Sequence, residues 1–129
     1  MVENVWVLVE KAAENIDCLS VEEFSSELDA GTAIGLDIRD THDRILHGMI
    51  SGTEHAPRGK LEFLVDPNSG YHDQIFDSSK RYILYCGVGG QSALAAKTMR
   101  EMGYSNIGHL EPGLAGWVKA GKPIEKMPG

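Results

Sequence analysis

Cysteine is scarce in this chain: Cys18 and Cys86 are the two in 129 residues. A small secreted domain held by disulfides would carry more, at closer spacing, so that class is excluded and both thiols are expected to be reduced. Basic side chains are outnumbered 12 to 19, giving a formal net charge of −7. Such a surface repels phosphate backbones, and no nucleic-acid partner is expected. Nothing approaches the ~20 uninterrupted apolar residues of a membrane-spanning helix, so no membrane partner is expected. The apolar patch Val5 to Val9 has no basic segment before it and no small-residue cleavage site after it. It reads as an amphipathic helix and not as a signal peptide, which implies a cytoplasmic protein. No His, Cys and carboxylate set has metal-ligand spacing; His42 and His47 miss the i, i+4 relation that would put both on one helix face. No metal and no cofactor are expected. Repeats and linkers are also missing, so residues 1–15 form a helical extension and residues 16–129 a single domain.

Glycine is abundant instead, 15 residues against an average of about 7%. Helical segments are expected at the N-terminus, after Ser20, over Thr41 to His47, Lys60 to Val65, Ala93 to Met102 and Leu114 to Ala120. Ser20 and Glu23 have the spacing of a capping box, and Gly31 and Gly48 are placed to stop two of these helices. Apolar runs too short for helices mark strands at Ala33 to Arg39, Thr53 to Ala56, Arg81 to Tyr85 and Asn106 to Leu110. Ile16 to Leu19 is a short apolar stretch in which Cys18 reads as core packing, as do Trp117 and Tyr104. Strands alternating with helices imply a parallel α/β sheet covered on both faces. Ligands in such sheets bind beyond the carboxyl ends of the strands, where Asp37, Arg39, Arg58 and Cys86 should gather.

The segment CGVGGQS, Cys86 to Ser92, follows the best strand and precedes a helix. Gly87, Gly89 and Gly90 let the backbone curl so that its amides share a centre, and the next helix aims its positive end there. A cysteine in such a ring has its thiolate stabilised, so one loop supplies both a nucleophile and an anion cradle. Other loop chemistries fit less well. The Gly-Lys-Ser or Gly-Lys-Thr ending of a nucleotide-phosphate loop is absent, and so is a Cys-x-x-Cys pair. Cysteine phosphatases close a Cys-x5-Arg cradle with an arginine, and that position here is Ser92.

Four segments in order resemble the rhodanese family: LDIRD at Leu36 to Asp40, HGMISGTEHAPRG at His47 to Gly59, YCGVGGQSALAA at Tyr85 to Ala96, and GYSNIGHLEPGLAGW at Gly103 to Trp117. The resemblance covers about Leu19 to Glu125 and implies a five-stranded parallel sheet with helices on both faces, here with the extra N-terminal helix. It also implies a sulfurtransferase in which Cys86 carries sulfane sulfur as a persulfide. The donor would be thiosulfate, another small sulfur anion or a persulfide; the acceptor would be a thiol, protein thiols included, or cyanide. Gly87, Val88, Gly89, Gly90, Gln91 and Ser92 would cradle the substrate, with Arg58 a candidate contact at the pocket edge. Asp37 and Arg39 match the second-strand motif and are expected to support the site structurally. Gly87 and Gln91 occupy positions where family members often carry arginine. Met49 and Ser51 stand in a segment that commonly reads Gly-His-Ile-Pro-Gly, and Pro112 replaces a commoner glycine. A non-catalytic module that binds or senses an anion is the alternative.

Overall fold

The structure, a computed structural model, describes residues 1–128. Asn4 opens helix α1 (Val5–Ala13), its side chain accepting from the Trp6 amide. Strand β1 (Asp17–Leu19) leads into α2 (Val21–Ala30), where the capping box forms: Ser20 Oγ accepts from the Glu23 amide, and the Glu23 carboxylate accepts from the Ser20 amide. Such a cap contributes about 0.5–2 kcal/mol. There follow β2 (Ile34–Asp37), α3 (Thr41–His47), β3 (Glu54–His55), a 3-10 turn (Arg58–Lys60), α4 (Leu61–Val65), β4 (Tyr82–Tyr85), α5 (Gly90–Glu101), β5 (Ile107–Leu110) and α6 (Gly113–Lys119).

All five strands are parallel, in the order β1-β5-β4-β2-β3. β4 is central and wholly buried, which is why it reads as an unbroken apolar run. Its side chains alternate between two cores. Tyr82, Leu84 and Cys86 pack with Leu61 and Val65 of α4 and with Ala95, Ala96 and Met99 of α5. Ile83 and Tyr85 pack with Phe24 of α2 and with Leu114 and Trp117 of α6. Both faces of the sheet are therefore covered, as expected. Winding reverses beside β4: β3 lies outside β2 on one flank and β5 lies on the other. That reversal leaves a crevice at the carboxyl ends of β2 and β4, where Asp37 and Tyr85 are register partners and Cys86 comes next. No described helix is long and apolar enough to cross a membrane.

One unassigned stretch gains a strand, and two expectations are corrected. The stretch before α2 contains an edge strand, β1, which escapes pattern reading because two of its three residues are exposed. One of those is Cys18, which is exposed rather than part of a core. Finally, α5 begins at Gly90 and not at Ala93, so its amino end reaches into the glycine loop itself.

Candidate active site

Cys86 stands one residue past β4, and the loop after it folds back over its sulfur. The amides of Gly89 and Ser92 donate to Sγ over 3.2 and 3.3 Å. Gly89 takes φ 94°, and a Cβ there would collide with the Glu111 carbonyl oxygen, so glycine is obligatory at this position. Helix α6 braces the loop from behind: Leu114 and Ala115 donate their amides to the carbonyls of Cys86 and Gly87 over 2.8 and 3.0 Å. These contacts satisfy first-turn donors that a helix cannot satisfy internally. Gly113 at φ 66° lets the two backbones meet; a Cβ there would lie 2.5 Å from the Gly87 oxygen.

Asp37 is fully buried at the end of β2. Arg39 grips it with two bonds, Nε to Oδ1 at 3.0 Å and Nη2 to Oδ2 at 2.8 Å, and also donates to the Gly48 carbonyl. Burial opposes the Arg39 charge, but the hydrogen bonds and the charge of Asp37 outweigh it and hold the guanidinium above its ordinary value. Arg44 of α3 donates to Asp37 Oδ2 over 3.1 Å, and the Tyr85 hydroxyl donates to the same oxygen over 3.2 Å. Burial, with the nearby Asp37 charge, pushes the Tyr85 phenol up to about 12, so it stays a donor. This cluster ties β2, α3 and β4 together through the Asp37 carboxylate. Arg44 and Tyr85 are additions that the sequence did not single out.

A cleft of about 920 Å³ opens over the sulfur. Cys86, Gly87, Val88, Gly90 and Gln91 line it, while Val5, Trp6 and Val9 of α1 wall one side and Leu46, Val118 and Ile124 others. Trp6 lies against Gly90, where an added Cβ would meet its ring at 3.2 Å. Arg39 reaches the cleft already committed to Asp37; the other acidic and imidazole groups lining it are Asp43 and His47. Arg58 is not brought to the cleft. Its guanidinium pairs with Glu62 at 2.8 Å and touches Thr98, because the 3-10 turn carries it onto α4. A wall built from α1 was not foreseen either, although the apolar patch Val5 to Val9 was its signal.

Behind the sulfur, Ser92 Oγ lies 3.5 Å from Cys86 Sγ and 2.9 Å from Nδ1 of the buried His109. Burial pushes the His109 imidazole down, with the Glu111 charge partly opposing. The exposed Cys18 thiol is pushed up, first by partial burial and then by Glu111.

The family profile of the rhodanese-like domain matches residues 20–120. The chain belongs to the rhodanese-like family. It is 35% identical to a Rhodopseudomonas palustris protein of unknown function, described as a possible tyrosine phosphatase, with a TM-score of 0.91 over 97% of this chain and 96% of that one. The polysulfide-sulfur transferase homodimer of Wolinella succinogenes is 28% identical, with a TM-score of 0.75 over 94% of this chain and 86% of that one. A putative sulfur carrier protein of Bacillus subtilis, YrkF, is 26% identical over 107 residues, or 82% of this chain. The rhodanese-like chain spans 53% of that relative's length.

Proposed function

We propose that this protein is a sulfurtransferase that carries sulfane sulfur as a persulfide on Cys86. The observation that carries the reading is the pair of amides, from Gly89 and Ser92, aimed at Sγ on the floor of an accessible cleft. Neutral donors fixed around a sulfur stabilise a thiolate and, after transfer, a persulfide anion. The Cys86 thiolate attacks the outer sulfur of the donor. An Sγ–S bond forms, the donor's bond to that sulfur breaks, and the leaving group departs with the electron pair. An acceptor thiolate then takes the outer sulfur and releases Cys86. The names of the Wolinella and Bacillus relatives, a sulfur transferase and a sulfur carrier, support this direction.

The cleft favours a donor with an apolar body over a small dianion. Its walls are aliphatic and aromatic, and its arginine is bound to Asp37. A thiol-bound or organic persulfide can place its body along α1 and its outer sulfur at Cys86. Mass spectrometry after incubation with a sulfane donor should show Cys86 gaining about 32 Da, one sulfur atom, by thiolate attack. Cys86→Ser should show no gain. Equal uptake by both proteins, or turnover of an aryl phosphate ester without sulfur uptake, overturns the proposal.

A further inference from the structure

The residues behind Cys86 form a hydrogen-bonded chain that the transfer reaction described above does not use. The thiol donates to Ser92 Oγ over 3.5 Å. The Ser92 hydroxyl has one hydrogen and two acceptors in reach, His109 Nδ1 at 2.9 Å and the Gly89 carbonyl at 3.3 Å. With the ring hydrogen on Nε2, the shorter contact, to Nδ1, orients the chain from sulfur to ring. His109 is 3% exposed on β5, between Gly108 and Leu110, in a strand otherwise apolar. Burying an imidazole costs free energy that an aliphatic residue would not, and its Nδ1 is aimed at the one hydroxyl touching the nucleophile.

We infer that His109, acting through the Ser92 hydroxyl, accepts the proton of the Cys86 thiol. His109 is a positioning residue here, since it touches neither substrate nor sulfur. The inference rests on the reading of Cys86 as the nucleophile. As the thiol hydrogen passes to Ser92 Oγ, the serine's own hydrogen passes to Nδ1. Sγ then attacks, the Sγ–S bond forms, the donor's S–S bond breaks, and the leaving thiolate takes a proton from solvent. The imidazolium faces the persulfide anion through Ser92. When the acceptor thiolate removes the outer sulfur, Cys86 leaves as a thiolate and recovers its proton along the same path.

The surroundings suit this role. Strand register sets Leu84 of β4 and Cys18 of β1 beside His109, and α5 contributes the neutral Ser92. Glu111, just past β5, is the charged group that acts on the ring. Burial keeps the imidazole neutral in the resting protein, and a neutral ring with a bare Nδ1 is a proton acceptor. Glu111 favours the imidazolium once formed, and the thiolate opposite it does the same.

The test is the pH dependence of Cys86 alkylation by iodoacetamide, in a Cys18→Ser background so that one thiol reacts. His109→Asn places an oxygen near the position of Nδ1, which accepts the serine hydrogen but cannot take a proton. If His109 is the acceptor, His109→Asn should lower the rate at pH 7 at least about tenfold, below the usual 10²–10⁴ of general-base catalysis. The rate should converge on the parent's in alkali, where hydroxide removes the proton instead. An unchanged profile from pH 6 to 9.5 means that the ring only fills space, and the inference is overturned. Ser92→Ala removes a single oxygen and carries the same test should His109→Asn fail to fold: loss at neutral pH recovered in alkali supports the chain, and an unchanged profile overturns it. No sulfur donor enters this measurement. Failure of Cys86 to take up sulfur would therefore appear in the mass experiment and leave this result separate.

Discussion

At the scale of single residues, charge placement decides what the site accepts. Gln91 lines the cleft with a neutral amide where relatives often carry a guanidinium, and Arg58 is held by Glu62 away from the thiol. A well-formed charge-assisted hydrogen bond contributes about 1.5–3 kcal/mol, roughly ten- to a hundredfold in affinity. Gln91→Arg should therefore lower the KM for thiosulfate by about that factor while barely moving the KM for an uncharged organic trisulfide. Arg58→Ala should change neither. Steady-state kinetics at low salt checks both, because screening hides weak charge effects. Asp37 poses the opposite problem: its charge is buried and offset by two arginines. Asp37→Asn keeps the shape but leaves both guanidinium groups without their counter-charge, and it should cost about 3–5 kcal/mol of stability. Urea titration of the folded protein measures that loss.

Elements show which parts of the site could be read in advance. Helix α2 was legible to the residue, because Ser20, Glu23 and Gly31 are local signals that act within one turn of the backbone. β4 was legible from composition alone. The start of α5 was not, since glycines and a glutamine read as loop; Gly89 caps the helix, and its amide and that of Ser92 bind the Cys86 sulfur. The second arginine on Asp37 and the serine–histidine contact were invisible because strand register and helix docking create them. Ser92 and His109 lie on different elements and meet only when β5 is laid beside β4. The N-terminal helix was recognised but could not be placed. Its role in the cleft yields a prediction: Trp6→Ala should weaken an apolar donor by about 1 kcal/mol, roughly fivefold in kcat/KM, through lost apolar contact. Thiosulfate kinetics should be nearly indifferent to the same change, and a parallel assay of the two donors shows the difference.

For the whole molecule, two perturbed groups make stability depend on pH in one direction. His109 is held below its ordinary value by burial, so as pH falls through about 6.5 the unfolded chain takes up a proton that the folded one resists. Stability is then lost toward acid. Glu27 is held below its ordinary value, chiefly by hydrogen bonds from Arg81, which also reaches Asp17 and Asn106. Its contribution is full above the usual carboxylate range and drains as pH falls through about 4.3. The Tm should be level near pH 7 to 8, decline from about pH 6.5, and steepen near pH 4. His109→Asn should remove the first decline and Glu27→Gln should soften the second, as calorimetry across that range would show.

The brace that α6 places on the thiol loop has a consequence for the life of the chain before it is complete. Leu114, Ala115 and Gly113 hold a loop that begins at Cys86, and they are synthesised more than 25 residues after it. A nascent chain that has emerged only as far as β4 displays its cysteine on an unbraced, glycine-rich tail. The amides that bind sulfur are not yet fixed in place, and neither β5 with its histidine nor the rear support exists. The amide ring around the Cys86 sulfur is thus complete only once α6 has been made and docked, and a product terminated before α6 carries its thiol without that support.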